Sequence, residues 1–291
     1  MVSIALIAPG AMGSAVAARL VEHGAEVLTL LDGRSAASVD RAAAAGMKDA
    51  SIETIAQADI ILSILPPADA MGLAQRLAPA LEASAKKPVY IDCNALSPET
   101  KREVLAVPAA AGCVALDASI IGHPPKPGNE GPVFYVAGDA ARRTAVLERF
   151  GLTVRRIDGP LGAAAALKMC YAGINKGMTA LGSAMLLAAS RAGAADDLRQ
   201  EMSESLPTVL AGFQRSIPNM YPKAYRWIAE MREIAAFLDG EDEAAAMMFE
   251  GAARLFERLA ADVAGEGREQ MMLDAALEAQ VKPRAAPSAS R

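Results

Sequence analysis

The stretch Ser3–Gly24, SIALIAPGAMGSAVAARLVEHG, decides the fold of this chain. Its opening residues, Ser3–Ala8, form an almost continuous apolar run, which is typical of a strand buried on both faces of a sheet. The residues from Ala11 onward are good helix formers, and Gly24 follows them as a helix stop. A buried strand that passes through a short turn into a helix predicts the first unit of a parallel α/β sheet.

The same alternation continues through the first half of the chain. The strand candidates are Ser3–Ala8, Glu26–Leu31, Asp59–Leu65, Val89–Asp92, Val114–Ser119, Val133–Ala137 and Val154–Ile157. Helical patterns between them include Ala11–His23, Ser35–Ala45 and Asp139–Phe150. These patterns predict the α/β fold class, with a doubly wound, Rossmann-like parallel sheet covered by helices on both faces.

The second half of the chain predicts helices only. Strand patterns stop near Leu161, and helix breaks are expected near Ala192–Asp196, Ser216–Pro222 and Gly240. We therefore expect a sheet domain over residues 1–158, an all-helical domain over 159–281 and a disordered tail over 282–291.

Composition excludes several classes of function. The 291 residues are 53% hydrophobic and carry a net charge of −5, so we expect no nucleic-acid partner and no anionic membrane surface. No basic region precedes the first apolar run, which indicates a cytoplasmic protein. The long apolar stretch Leu161–Ala189 contains Lys168 and Asn175, so it predicts a buried helix and not a membrane span. Three widely spaced cysteines predict buried, reduced thiols, with neither a disulfide nor a metal site.

The turn after the first strand is a candidate phosphate-binding loop. In the pattern G-x-G-x-x-G, Gly10 and Gly13 occupy the second and third glycine positions, whereas Ala8 occupies the first. Backbone N–H groups at a helix N-terminus favour the negative charge of a pyrophosphate. The predicted cofactor contacts in this turn are Ala8, Pro9, Gly10, Ala11 and Met12. The alternative is a turn whose glycines serve packing alone.

The end of the second strand, Leu28–Ser35 (LTLLDGRS), lies where a dinucleotide ribose is recognised. Arg34 and Ser35 would bind a 2′-phosphate, whereas Asp32 would bind the two hydroxyls of an unphosphorylated ribose. We favour NADP over NAD because arginine matches phosphate with two parallel hydrogen bonds. The alternative is an exposed loop arginine without a ligand.

Five motifs in order over about the first 190 residues resemble the β-hydroxyacid dehydrogenase family, which includes relatives of 6-phosphogluconate and 3-hydroxyisobutyrate dehydrogenases. The opening turn is similar to the family's G-x-G-x-M-G. The other motifs are ADIILSILPP (58–67), IDCNALSPET (91–100), LDASIIGHPPKPGNEGPVFYVAGD (116–139) and GPLGAAAALKM (159–169). The remaining part, around AYRWIAEMREIAAFL (224–238), resembles a divergent C-terminal domain of a poorly characterised branch.

The resemblance implies that Lys168 is the catalytic acid or base. Burial among apolar neighbours would desolvate its ammonium and make it a better base at neutral pH. Tyr171 and Asn175 follow Lys168 at helical spacing and predict one polar stripe. The family's asparagine, four residues after the lysine, is replaced by Ala172, so Asn175 is the candidate in its place. The alternative for Lys168 is a side chain that extends from a helix end to solvent.

Comparison with the family's motifs also suggests which residues contact the cofactor and which contact the substrate. The predicted cofactor residues are Leu65, Pro66 and Asn94, and the predicted substrate residues are Ser119, Ile121, Gly122, His123 and Tyr171. Asn94 would reach the nicotinamide ribose or the substrate. The alternative for His123 is a loop histidine that caps nearby backbone, and the alternative for Tyr171 is core packing with its hydroxyl hydrogen-bonded. Ile121 and His123 depart from the family's Ser-Gly-Gly. Loss of the serine weakens the case for a small hydroxyacid and admits a bulkier, more apolar substrate.

The resulting prediction is an NADP-dependent oxidoreductase of a CH–OH/C=O small-molecule substrate that pairs as a homodimer through its helical domain. One alternative is an imine or bulky-ketone reductase of the same fold. The other is a non-catalytic, NADP-binding redox sensor.

Overall fold

One sheet occupies the first half of the computed structural model, which describes residues 2–126, 128–240 and 242–278. Its strands are β1 (Ser3–Ile7), β2 (Glu26–Thr29), β3 (Lys48–Asp49), β4 (Ile60–Ser63), β5 (Val89–Asp92), β6 (Val114–Ile121), β7 (Val133–Ala137) and β8 (Thr153–Ile157). In the described residues the sheet has eight strands in the order β3-β2-β1-β4-β5-β6-β7-β8. This confirms the predicted fold class.

Helices flank the sheet on both faces. They are α1 (Ala11–Glu22), α2 (Ala36–Ala44), α3 (Ile52–Ile55), α4 (Ala70–Ala83), α5 (Pro98–Ala110) and α6 (Ala145–Arg149). Alternate residues of β1 enter different cores: Leu6 packs with Leu20 of α1, whereas Ile7 packs with Leu77 of α4. This two-sided burial explains why the strands read as continuous apolar runs and not as alternating ones.

The sheet differs from the prediction in two respects, the direction of β7 and the presence of β3. β7 runs antiparallel to β6, with Asp117 opposite Ala137, whereas every other neighbouring pair is parallel. A pattern of apolar residues carries no information about strand direction, so the parallel prediction for β7 is wrong. The short strand β3 is missed because both of its residues are exposed and polar.

The second half is helical, as predicted. It contains α7 (Ala163–Arg191), α8 (Ala195–Ser205), α9 (Pro207–Met220), α10 (Ala224–Asp239), α11 (Glu243–Ala264) and α12 (Arg268–Glu278). The chain divides into two compact units, Met1–Met169 and the residues from Cys170 onward. The predicted tail, 282–291, lies outside the described residues. No helix in the described ranges has the length and apolar character needed to cross a membrane.

Two local predictions need correction. The expected helix Asp139–Phe150 is a 3₁₀ turn, Ala141–Thr144, followed by the short helix α6. The break expected at Ser216–Pro222 begins only after Met220, because buried Ile217 and Met220 keep the last turn of α9 packed around Pro218.

Two predictions about burial are also wrong in part. α7 is not buried on all sides, since several large apolar side chains on it are exposed: Tyr171, Ile174, Met178, Leu181 and Met185. Cys93 and Cys113 are buried free thiols, but Cys170 is exposed.

Candidate functional site

The glycine turn follows β1 in an unusual backbone conformation. Ala8 has a φ of 76° and is the one non-glycine residue of the described chain with a positive φ. This left-handed conformation costs an L-residue roughly 1–2 kcal/mol, and it is ordinarily adopted by glycine. Ala8 therefore takes the path that the first glycine of the pattern would take. The altered motif keeps its backbone shape.

Gly13 explains the close contact between α1 and the turn. A Cβ added at Gly13 would lie 2.3 Å from the carbonyl oxygen of Ala8, well inside any real contact. A Cβ added at Gly10 would meet nothing within 4 Å, so that side of the turn is open. Gly10 is the N-cap of α1, and no side chain caps the helix there. The first N–H groups of α1 thus fit a pyrophosphate.

One basic side chain contacts the outer side of this turn, and a second lies just before the helix that carries it. Arg41 of α2 donates from Nε to the carbonyl oxygen of Pro9 at 2.8 Å and from Nη2 to Ser38 Oγ at 2.9 Å. Ser38 Oγ lies 3.1 Å from Oγ of Ser35, the N-cap residue of α2. Arg34 is exposed one residue earlier. The sequence patterns do not identify Arg41, although its spacing of three from Ser38 on one helix is the signal that would have found it.

The end of β2 also carries an acidic candidate. Asp32 accepts a hydrogen bond from Arg76 Nη2 of α4 at 2.9 Å, with its side chain largely exposed. Both residues line a cavity of about 440 Å³. The site therefore presents Asp32 already paired with a cation, beside the exposed Arg34.

Asn94 is held rigidly at the ends of β4 and β5. Its Oδ1 accepts from the backbone N–H of Leu65 at 2.5 Å, and its Nδ2 donates to Ser63 Oγ at 2.8 Å and to Asp92 Oδ2 at 2.6 Å. Because these bonds use both ends of the amide and the side chain is buried, the geometry favours a role in positioning Leu65 and the adjoining Pro66. A direct cofactor contact by Asn94 stays a prediction.

Lys168 lies in the first compact unit and reaches the sheet. Its Nζ donates to the carbonyl oxygen of Ile120 in β6 at 2.8 Å, and the side chain is half-buried. The nitrogen is therefore fixed at a strand end and does not extend freely into solvent. β1, β4, β5 and β6 run parallel, so this strand end and the glycine turn share one edge of the sheet.

The other predicted substrate residues surround this strand end. Ser119 is 1% exposed, and its Oγ has no hydrogen-bond partner within the described residues. A buried hydroxyl without a partner is unfavourable, so Ser119 requires one from a ligand or from water. Ile121 is half-buried. Gly122 has a φ of 127°, and a Cβ there would lie 3.0 Å from Cα of Pro132. His123 is exposed in the following loop.

A buried charge cluster beside this strand end is not identified by the sequence patterns. Lys101, Asp92 and Asp117 are all fully buried, and Lys101 Nζ lies 2.5 Å from Asp92 Oδ1 and 3.7 Å from Asp117 Oδ1. Burial raises the pKa of the Asp117 carboxyl, and the Lys101 ammonium acts in the opposite direction. Lys101 follows Pro98 by three and precedes Leu105 by four, so it occupies the apolar stripe of α5. A lysine on the apolar side of a predicted helix is the sequence signal that could have identified this cluster.

Tyr171 and Asn175 belong to the second compact unit. Tyr171 is half exposed, and Asn175 lines a cavity of about 630 Å³ together with Trp227. Lys176 forms an ion pair with Glu230 and lies 5.6 Å from the Trp227 ring centre. Their proposed contacts with substrate stay predictions.

Comparison with known proteins agrees with this geometry. Residues 3–157 match the family described as the NAD binding domain of 6-phosphogluconate dehydrogenase, and residues 189–259 match a domain of unknown function (DUF1932). The 3-hydroxyisobutyrate dehydrogenase of Pseudomonas aeruginosa is 30% identical over 182 residues, which are 58% of either chain. The chain thus matches less than two thirds of the length of this curated relative.

Solved structures share the fold over most of the chain. The conserved protein of unknown function MTH1747, described as similar to 3-hydroxyacid dehydrogenases, gives a TM-score of 0.76 at 24% identity, covering 94% of this chain and 99% of that one. The 3-hydroxyisobutyrate dehydrogenase of Mycobacterium tuberculosis, solved with L-serine, gives 0.71 at 22%, covering 91% and 95%. A Streptomyces aurantiacus imine reductase gives 0.54 at 21%, covering 88% and 93%. At these identities the likeness concerns the fold alone. On the match over residues 3–157, the chain belongs to the β-hydroxyacid dehydrogenase-like family, with the NAD-binding domain of 6-phosphogluconate dehydrogenase and a C-terminal DUF1932 domain.

Proposed function

We propose that this protein is an NADP-dependent oxidoreductase that interconverts a CH–OH and a C=O group of a small molecule, with Lys168 as general acid and base. The observation that carries the proposal is the hydrogen bond from Lys168 Nζ to the Ile120 carbonyl, at the sheet edge that also holds the glycine turn. Ligands of open α/β sheets bind at the carboxyl ends of the strands.

The protein's part in the chemistry is to hold the reactants and move one proton. A bound nicotinamide supplies or accepts the hydride. Lys168 Nζ takes the hydroxyl proton during oxidation and returns it during reduction, because the carbinol must lose a proton as the hydride leaves. Ser119, whose buried hydroxyl has no hydrogen-bond partner among the described residues, binds a substrate oxygen. Gly122 and His123 form the wall of the substrate site.

The preference for NADP rests on Arg34 and the group around α2. Arg34 and Ser35 bind the 2′-phosphate, and Arg41, which the Pro9 carbonyl holds in place, adds a second positive charge. Asp32 would repel that phosphate in isolation, but its ion pair with Arg76 offsets the negative charge. The phosphate is therefore accommodated beside an acidic residue.

The alternative substrate class is a cyclic imine or a bulky ketone. One observation favours it: half-buried Ile121 stands where the family's serine would hold a carboxylate, so the site wall is apolar at that position. The fold of an imine reductase also covers 88% of this chain.

We further propose that two copies pair through α7. Its exposed apolar residues follow spacings of three and four, as on a helix that packs against another helix: Tyr171, Ile174, Met178, Leu181 and Met185. Such a stripe is unfavourable in water and marks an interaction surface. In this proposal residues 1–158 bind the dinucleotide and residues 159–281 bind substrate and the second copy, in the cytoplasm.

The test is a binding and turnover experiment on the full chain. NADPH and NADH are titrated by fluorescence, and a panel of hydroxyacids, ketones and cyclic imines is assayed with Lys168→Ala and with Lys48→Ala, a surface lysine paired with Glu26. We expect Lys168→Ala to lower kcat by ~10²–10⁴-fold, the usual contribution of a general acid or base, and Lys48→Ala to leave it unchanged.

Equal turnover by Lys168→Ala and the wild type would refute the catalytic assignment. Tight NADPH binding without turnover of any compound would favour the redox sensor instead.

A further inference from the structure

The buried cluster of Lys101, Asp92 and Asp117 has no part in the proton transfer proposed above. Lys101 Nζ donates to the carbonyl oxygens of Asn94 at 2.8 Å and Ala118 at 3.2 Å, in addition to Asp92 Oδ1 at 2.5 Å. One ammonium thus joins the end of β5 to the middle of β6. Stability alone is a weak reason for such a group, since well-packed apolar residues often replace a buried ion pair without loss.

The two oxygens of Asp117 have different surroundings. Oδ2 accepts three backbone N–H groups, from Gly162 at 3.0 Å, Ala164 at 2.8 Å and Ala165 at 3.1 Å. Oδ1 is buried without a hydrogen-bond partner in the described residues, and the Lys101 ammonium lies 3.7 Å from it. Asp117 is therefore the acceptor for the first turn of α7, and Lys101 supplies its counter-charge.

An ionised carboxylate suits this task better than a neutral group. Hydrogen bonds to a charged acceptor are about twice as strong as neutral ones, and a negative charge is favourable at a helix N-terminus. Burial raises the pKa of Asp117, and the Lys101 ammonium acts against that rise.

The next turn of α7 carries the catalytic candidate. Lys168 follows Ala164 by four residues and Ala165 by three, so it lies on the next turn of the same face. Its Nζ reaches Ile120, three residues beyond Asp117 on β6. α7 is therefore fixed to β6 at two points about 10 Å apart, which determines where the ammonium lies along the strand.

We propose that Asp117 and its counter-ion Lys101 are positioning residues for Lys168: Asp117 fixes the first turn of α7, and this sets the place of the Lys168 nitrogen at the end of β6. This inference rests on the proposed function for its effect on turnover, but its structural part stands on geometry alone.

The first experiment needs no substrate. Asp117→Asn is compared with Asp59→Asn, a matched control, because Asp59 also accepts a backbone N–H, from Ser3 at 2.9 Å, and pairs with Lys86 at 2.8 Å. We expect amide hydrogen exchange over residues 162–169 to accelerate by about tenfold or more in Asp117→Asn, the loss of a hydrogen bond to a charged group, and to stay unchanged in Asp59→Asn. If exchange in this segment is the same in both variants, the inference is wrong.

The second readout follows the lysine itself. In protein labelled with ¹³C at the lysine Cε, the signal of Lys168 is assigned by its loss in Lys168→Ala. We expect this signal to shift in Asp117→Asn and not in Asp59→Asn. An unmoved signal overturns the inference, whether or not a substrate has been found. If Asp117→Asn does not fold, Asp117→Ser, which keeps a helix-capping oxygen without the charge, replaces it in both measurements.

The third readout separates this inference from the proposed function. We expect Asp117→Asn to lower kcat by about tenfold, as for a misplaced catalytic group, with little change in NADPH affinity. In a Lys168→Ala background the same substitution should have no further effect on kcat. If Lys168→Ala lowers kcat and Asp117→Asn lowers it again by the same factor, the positioning role is refuted. If Lys168→Ala leaves kcat intact, the proposed function fails instead.

Discussion

Lys101→Met is the substitution whose effect on stability the structure determines most sharply. Methionine fills a similar volume without charge, so Asp92 and Asp117 would remain buried with no cation beside them. Removing one partner of a buried pair costs about 3–5 kcal/mol, whereas an exposed ion pair contributes about 0–1 kcal/mol. Lys86→Met, which breaks the half-exposed pair with Asp59, is the matched control. We expect a difference of at least about 2 kcal/mol between the two variants.

Urea unfolding followed by circular dichroism measures this difference, and its pH dependence tests the cause. Burial already raises the pKa of Asp117, and losing Lys101 raises it further. A carboxyl whose folded-state pKa lies above its unfolded value contributes stability below the unfolded pKa and loses it as the pH rises. The deficit of Lys101→Met should therefore be small at acidic pH and grow toward neutral pH. A deficit below about 1 kcal/mol at neutral pH, or one that is constant with pH, would refute the reasoning.

Four further predictions concern separate parts of the molecule. Ala8→Gly should raise the free energy of unfolding by up to about 1 kcal/mol in urea denaturation, because relief of the left-handed strain exceeds the added chain entropy; a loss of stability would contradict the φ of Ala8. Arg34→Ala should weaken NADPH binding by ~10–100-fold and NADH binding little, by fluorescence titration, and equal weakening would exclude a phosphate contact. Under native conditions a thiol reagent should label Cys170 and spare Cys93, whose pKa burial raises; mass spectrometry of the labelled peptides would show the reverse if these burials are wrong. Leu181→Glu on the α7 stripe should convert a dimer to a monomer in light scattering, and an unchanged mass would exclude that face.

The fold was predictable because burial on both sides of a sheet leaves a direct trace in the sequence. Each long strand reads as an apolar run, and the bounds of β5 (Val89–Asp92) agree with prediction at both ends. β3 leaves no such trace, because Lys48 and Asp49 are exposed and are held only by backbone pairing with β2. The direction of β7 depends on the connection after β6, which apolar patterning does not encode.

The sequence predicted site residues only where the residues next to them in the chain form a recognisable pattern. Lys168 stands out as a charge in an apolar helix, and Gly10 and Gly13 follow a known spacing. Lys101 also interrupts an apolar stripe, but its partner Asp117 lies 16 residues away on another element, so no short motif joins them. Arg41 acts on Pro9 over an even longer separation of 32 residues. Such pairs become visible only when the sheet brings their elements together.

The first and third glycine positions of the turn, residues 8 and 13, differ in what prevents a side chain there. At position 8 the obstacle to a side chain is torsional, and Ala8 shows that the backbone tolerates it for a modest loss of stability. At position 13 the obstacle is an atom of the main chain itself, 2.3 Å from where a Cβ would stand. The turn therefore keeps its shape without the first glycine of the dinucleotide motif but has no room for a side chain at the third, and a search that insists on all three glycines will overlook chains such as this one.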